Sequence, residues 1–124
     1  MDKTDVQELD ALRSVINRHC EEMIYHPFSE YRDSGCRILN ATRVFYYNIL
    51  HILRKQTSEN NISLTLEQNF DMLKQIKKIL DITDTVQAKE QMITKLLEKE
   101  NLNPKEFLYL DEWISKGELD ILFS

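Results

Sequence analysis

Glycine and proline are scarce in this chain of 124 residues: Gly35 and Gly117, Pro27 and Pro104 are all there are. Two glycines so far apart cannot build a phosphate-cradling loop, which needs several within a few residues. Scarcity of both leaves no long linker and no disordered tract of that composition. Nothing in the chain starts a strand pairing. No apolar run approaches the ~18 residues of a membrane-spanning helix, so no membrane partner is expected. The cysteines are Cys20 and Cys36, and the chain opens Met-Asp-Lys-Thr-Asp, without a basic region followed by an apolar run. It therefore reads as intracellular, cytoplasmic or nuclear, with both thiols reduced.

Surplus positive charge is missing as well. Sixteen Lys and Arg face 21 Asp and Glu, a formal net charge of -5, which argues against wrapping by nucleic acid. The imbalance is local: residues 1–33 carry four basic and eight acidic side chains, whereas residues 34–66 carry four basic and one acidic.

What the chain does have is helix starts. Thr4-Asp-Val-Gln7, Thr65-Leu-Glu-Gln68 and Asp84-Thr-Val-Gln87 read as N-caps with a reciprocal acceptor three residues on. Asn103-Pro104-Lys105-Glu106 places proline at a first helical position, and Ser34 is a fifth start. The fold class is all-α: a single domain over 1–124, a compact bundle of about five helices spanning roughly 5–24, 36–56, 66–80, 85–100 and 104–116.

Hydrophobic spacing assigns the core. Leu9, Leu12, Ile16, His19 and Met23 form one stripe of the first helix, which His26-Pro27 stops. Phe28 to Gly35 is expected to be a short connection. Ile38, Phe45, Tyr46, Ile49, Ile52 and Leu53 cover more than one face of the second helix, which makes it the central one. Residues 57–63 are polar and form the clearest loop, with Ile62 and Leu64 tucking back. Leu66, Phe70, Leu73, Ile76, Ile79 and Leu80 point inward from the third helix, with Lys74, Lys77 and Lys78 outward. Val86, Met92, Ile93, Leu96 and Leu97 point inward from the fourth. Gly117 ends the fifth.

The search for chemistry yields no enzyme. His19, Cys20, His26 and Cys36 are the one conceivable zinc set, but they lack the paired spacing of a zinc motif, and Cys20 reads as a small buried hydrophobe. No metal and no cofactor is expected. Neither cysteine has a recognisable orienting group for nucleophilic catalysis. Glu21-Glu22 and Asp111-Glu112 are adjacent, so on a helix they diverge by about 100° and cannot act as acid and base on one bond. Arg37, Arg43, Arg54 and Lys55 lie among Phe45, Tyr46 and Tyr47. Such a mixture can stack single-stranded nucleic acid; equally, the aromatics are core and the arginine stems cover them.

One stretch resembles a known family. Leu73-Lys-Gln-Ile-Lys-Lys-Ile-Leu-Asp-Ile-Thr83, then Val86, then Met92-Ile-Thr-Lys-Leu96-Leu97, is similar to the helix-turn-helix of the N-terminal domain of the elongation factor TFIIS. It is similar also to the integrase-binding domain of lens epithelium-derived growth factor. Met92 and Leu96 fall nine and thirteen residues after Thr83, and Phe107, Leu110 and Trp113 stand where that fold has its last helix. The match runs from about Tyr47 to Lys116. Ile79-Leu80-Asp81 has one residue more than the usual turn, Met92 is followed by Ile-Thr where Gly-Lys is common, and the last helix is acidic where the family is often basic. The resemblance implies a helical scaffold that binds short motifs of transcription or chromatin partners. Its groove would lie at Ile82-Thr83-Asp84 and Glu100-Asn101-Leu102.

The leading expectation is thus a non-enzymatic adaptor that captures another protein through a peptide motif or helix. A homodimer assembled through the second or the N-terminal helix is the alternative, and a small nucleic-acid-binding bundle the third class. The candidate partner-binding residues are Ile82, Thr83, Asp84, Glu100 and Leu102, with Leu119, Ile121, Leu122 and Phe123 of the apolar tail 117–124. That tail either folds back on its own core or docks on a partner.

Overall fold

A computed structural model describes residues 3–56 and 63–108. They form five helices and, among the described residues, no strand: α1 (Lys3–Ile24), α2 (Ser29–Leu53), α3 (Leu66–Ile82), α4 (Val86–Lys99) and α5 (Pro104–Leu108). The all-α bundle expected from the sequence is the observed one.

On α1, Leu9, Leu12, Ile16, Cys20 and Met23 are buried. His19 sits at the edge of that stripe, half-buried. The helix is already under way at Lys3, one residue before the expected cap Thr4. Pro27 then turns the chain, with the His26 amide donating to the Met23 carbonyl at 3.2 Å.

The second helix differs from expectation. It begins at Ser29, seven residues early, so the connection expected from Phe28 to Gly35 is mostly helix, and Ser34 is an interior residue. Phe28 supplies an extended N-cap without a side-chain bond. Glu30 in the first turn suits the positive end of the helix dipole. The Arg32 guanidinium ties the turn by donating to the carbonyls of His26 and Pro27 at 3.1 and 2.6 Å. Gly35 fell in this stretch for a reason other than turning: it is buried where α2 crosses α1, against Met23, Ile24 and the Cys20 carbonyl.

Helix α2 ends at Leu53, three residues before the expected Gln56. Lys55 takes the left-handed conformation (φ 55°), while the Gln56 amide donates to the His51 carbonyl and the Lys55 amide to that of Ile52. This is the paired-bond C-cap usually built on glycine. No glycine marked it in the sequence.

Helix α3 has the capping box read from the sequence. Thr65 Oγ1 accepts from the Gln68 amide at 3.1 Å and Gln68 Oε1 accepts from the Thr65 amide at 2.9 Å. Helix α4 is capped by Thr85, one residue past the expected Asp84, with Thr85 Oγ1 accepting from the Ala88 amide. Asn103 Oδ1 accepts from the Lys105 amide to start α5 behind Pro104. The remainder of the expected fifth helix, with Trp113 and Gly117, lies outside the described residues.

Helix α2 touches each of the other four helices. Ile38, Phe45 and Ile49 are fully buried on it, and Phe45 stacks on Phe107 of α5, ring centroids 5.7 Å apart. Arg37 of α2 grips Glu90 of α4 through two nitrogens, and Ser34 Oγ donates to the same carboxylate at 2.7 Å. Of the inward side chains expected on α3, Leu66 is half-buried and the rest are buried; Leu64 also packs on the core. Met72 and Asn69 are buried besides.

Candidate functional site

The residues expected to form one groove are placed apart. Ile82-Thr83-Asp84 precedes α4 and Glu100-Asn101-Leu102 follows it. A helix of that length separates them by about 20 Å. The second segment is itself a helix terminus: Asn101 is left-handed (φ 60°), the Leu102 amide donates to the Leu97 carbonyl at 2.9 Å, and the Asn101 amide to that of Glu98. Leu102 packs on the core and Glu100 is half-buried. Glu100 lines a separate cavity with Leu64, Glu67, Gln68 and Asp71. Leu119, Ile121, Leu122 and Phe123 lie outside the described residues.

The candidate chemical groups are also committed locally. His19 Nε2 lies 2.8 Å from Asp81 Oδ1, joining α1 to α3. His26 Nδ1 accepts from the Phe28 amide at 3.1 Å. Cys20 is fully buried and Cys36 half-buried, both as free thiols. Burial, reinforced by Cys36, pushes the Cys20 thiol far above the usual thiol range; burial, reinforced by Asp33, raises that of Cys36. Among the described residues no group of three His, Cys, Asp or Glu side chains converges as a metal site. None of the described helices is long and apolar enough to cross a membrane.

The basic-aromatic cluster is only partly internal: Arg37, Arg43, Tyr46 and Tyr47 are half-buried, and Arg54 and Lys55 are exposed. Phe45 is core. The Arg13 guanidinium lies 5.2 Å from the Tyr46 ring, and that of Arg43 the same distance from the Tyr47 ring. Tyr46 and Tyr47 meet edge to face. One of the chain's own cations thus lies over each of the two tyrosine rings.

What stands free is apolar. Among the described residues the exposed large hydrophobic side chains are Tyr25 (71% exposed), Phe28 (62%), Ile82 (62%) and Met92 (41%). They fall into two patches. Tyr25 and Phe28 lie at the α1–α2 corner, where Phe28 meets Tyr31 edge to face and His26 packs between them at 4.2 Å from Tyr31. Ile82 and Met92 line a groove between α3 and α4.

That groove is made of two matching stripes. Gln75, Lys78, Ile79 and Ile82 come from α3; Met92, Lys95, Leu96 and Lys99 come from α4. Each set has the i, i+3, i+4, i+7 spacing that brings side chains onto one helix face. Ile79 and Leu96 form a buried floor. At the α3–α4 turn Thr83 Oγ1 donates to Met92 Sδ at 3.3 Å, which holds Met92 beside that turn. Met92 was expected to point inward. It does not, because Ile93 and Leu97 define the buried face and Met92 is rotated about 100° from Ile93. Ile82 is likewise about 120° from Ile76, the centre of the α3 stripe. That angular offset was the available signal for both.

The groove is cationic at its rim. Lys78, Lys95 and Lys99 line it and no acid does. Some other cations of the bundle are paired, Lys74 with Glu8, Lys77 with Asp81 and Arg37 with Glu90; for Arg18, Arg54, Lys55, Lys89 and Lys105 no ion pair is seen among the described residues either. Among the described residues none of the three groove lysines meets an acid. Ile82 is the expected site residue that belongs to this groove; Thr83 is half-buried and Asp84 exposed beside it. Comparisons with family models, with curated proteins and with solved structures returned no match to this chain.

Proposed function

We propose that this protein is a non-enzymatic helical interaction module whose α3–α4 groove receives a segment of another protein. The observation that carries this reading is the pair Ile82 and Met92, large apolar side chains left in water above a formed apolar floor. Exposed apolar surface of this kind, rimmed by polar groups, marks contact sites, and a helical groove of this pattern suits a peptide or helix. The resemblance to transcription-factor bundles supports motif binding in transcription or chromatin, with the contact moved from the two loops to the groove. The test is Ile82→Glu with Met92→Glu. Both side chains are exposed, so melting should hold within about 4 °C, as surface changes usually cost under ~0.5 kcal/mol each. Proteins recovered by proximity labelling with the natural chain should be lost with the variant. An identical set from both would overturn the reading.

The aromatic corner favours a second reading, a homodimer through the N-terminal helix and the start of α2. Tyr25 and Phe28 present the apolar surface that a self-complementary contact requires. Light scattering over a concentration series tests it: a mass near 30 kDa (about twice the 14.8 kDa chain) that returns to the monomer value in Tyr25→Glu, Phe28→Glu supports the dimer.

A further inference from the structure

The groove also specifies the charge of its occupant. Its apolar anchors could accept many helices, but the three ammonium groups around them restrict the choice. Lys95 and Lys99 stand one turn apart on α4, and Lys78 faces the groove from α3. The chain as a whole is acidic, with a net charge of -5, so this is a local reversal of sign. A basic or neutral occupant would leave three charges without a counterpart at the rim of an apolar contact. An acidic one would neutralise them. The stripe on each helix spans seven residue steps, about 10 Å at ~1.5 Å per residue, room for about two turns of an incoming helix. We propose that the occupant is a short acidic amphipathic segment of a separate protein, with apolar residues on Ile82 and Met92 and carboxylates on Lys78, Lys95 and Lys99. This inference rests on the docking reading of the groove and adds the occupant's chemistry to it. Because the molecule around the groove is acidic, the lysines act at short range, selecting the occupant more than steering it from afar.

The experiment is selection of a random twelve-residue display library on the full-length chain. Sequences with Asp or Glu in surplus and large apolar residues at helical spacing should be enriched. Synthetic peptides of those sequences should lose about tenfold in affinity against Lys78→Ala, Lys95→Ala, Lys99→Ala, as three rim charges at ~0.5 kcal/mol each would give. Reversing the same lysines to glutamate should turn the preference towards basic peptides, a gain that misfolding cannot imitate. Enriched peptides that are neutral or basic, and indifferent to the lysines while sensitive to Ile82→Glu, would overturn the acidic occupant and leave the docking reading standing. No enrichment at all would overturn both. Doubling of mass abolished by Ile82→Glu would make the occupant a second copy. Binding that appears only when residues 117–124 are deleted would make it the chain's own acidic-apolar segment. Either result would overturn the separate partner.

Discussion

Gly35 of α2 passes beneath Met23 of α1 so closely that a Cβ built on the glycine would lie 2.9 Å from Met23 Cβ. The Cys20 carbonyl oxygen is 3.0 Å from the same point, and a helix backbone cannot step aside as a side-chain tip can. Two effects oppose each other in Gly35→Ala. Alanine favours the helix by about 1 kcal/mol; overpacking a tight crossing costs about 1–3 kcal/mol. At so close a crossing the second should win, lowering stability by up to about 2 kcal/mol. A urea midpoint that rises in the variant would show that the helices part at little cost.

Much of the fold was legible because it rests on short-range rules. Thr65 and its partner Gln68 announce α3 by their side chains alone. Thr85 and Pro104 do nearly the same for α4 and α5. Gly35 was misleading because glycine has two uses, turning the chain and letting two helices touch, and only a neighbour distant in sequence decides which applies. The left-handed Lys55 and Asn101 show the reverse: helix ends without a glycine to mark them. The groove was hidden for a different reason. Met92 is apolar, and apolar residues at helical spacing are assigned inward by default; its exposure depends on how far it is rotated from Ile93 and Leu97. Lys78 was read correctly as outward-facing, but its meaning comes from the company of Lys95 and Lys99, which only the docking of α3 on α4 supplies.

Ile49 is fully buried at the centre of α2. Ile49→Ala removes three carbons from a site walled by other helices and should destabilise by about 2–5 kcal/mol. Chemical denaturation checks it. An unchanged midpoint would mean that α2 is not the organising helix.

The two thiols should react unequally. Cys36 is half-buried and Cys20 fully buried, so a thiol reagent at pH 8 should label Cys36 first and reach Cys20 only on unfolding. Equal rates would contradict the burial of Cys20. Burial also raises the Cys20 thiol in the folded state. Above pH ~8.5 the unfolded thiol ionises while the folded one stays protonated. The unfolded state then binds fewer protons, and stability falls as pH rises. Between pH 7.5 and 10, Cys20→Ala should lose less stability than the natural chain.

Asp81 behaves in the opposite sense. Hydrogen bonds from Lys77 and from His19, each at 2.8 Å, hold its carboxyl below the usual carboxylate range. The stabilisation is complete above pH ~4 and is lost as pH falls through the lowered folded value. The site is partly open to water, so its worth is screened to about 0.5 kcal/mol. Asp81→Asn should be slightly less stable at pH 7 and should lose less between pH 5 and 2. Parallel acid-denaturation curves for the two proteins would show that the contacts contribute nothing.

The α3–α4 groove has two unlike ends. Ile82 and Met92 lie by the turn that joins the helices, with Met92 bonded to Thr83 there; Lys99 stands at the far end of α4. On the docking reading, an occupant would meet Ile82 and Met92 at the turn, Lys78 and Lys95 within about one helical turn of them, and Lys99 last. The same residues in reverse order would present their carboxylates to Ile82 and their hydrocarbons to Lys99. If the groove is filled as proposed, composition alone would not define what fits: a scrambled peptide of identical charge and hydrophobicity would set its carboxylates and hydrocarbons against the wrong ends.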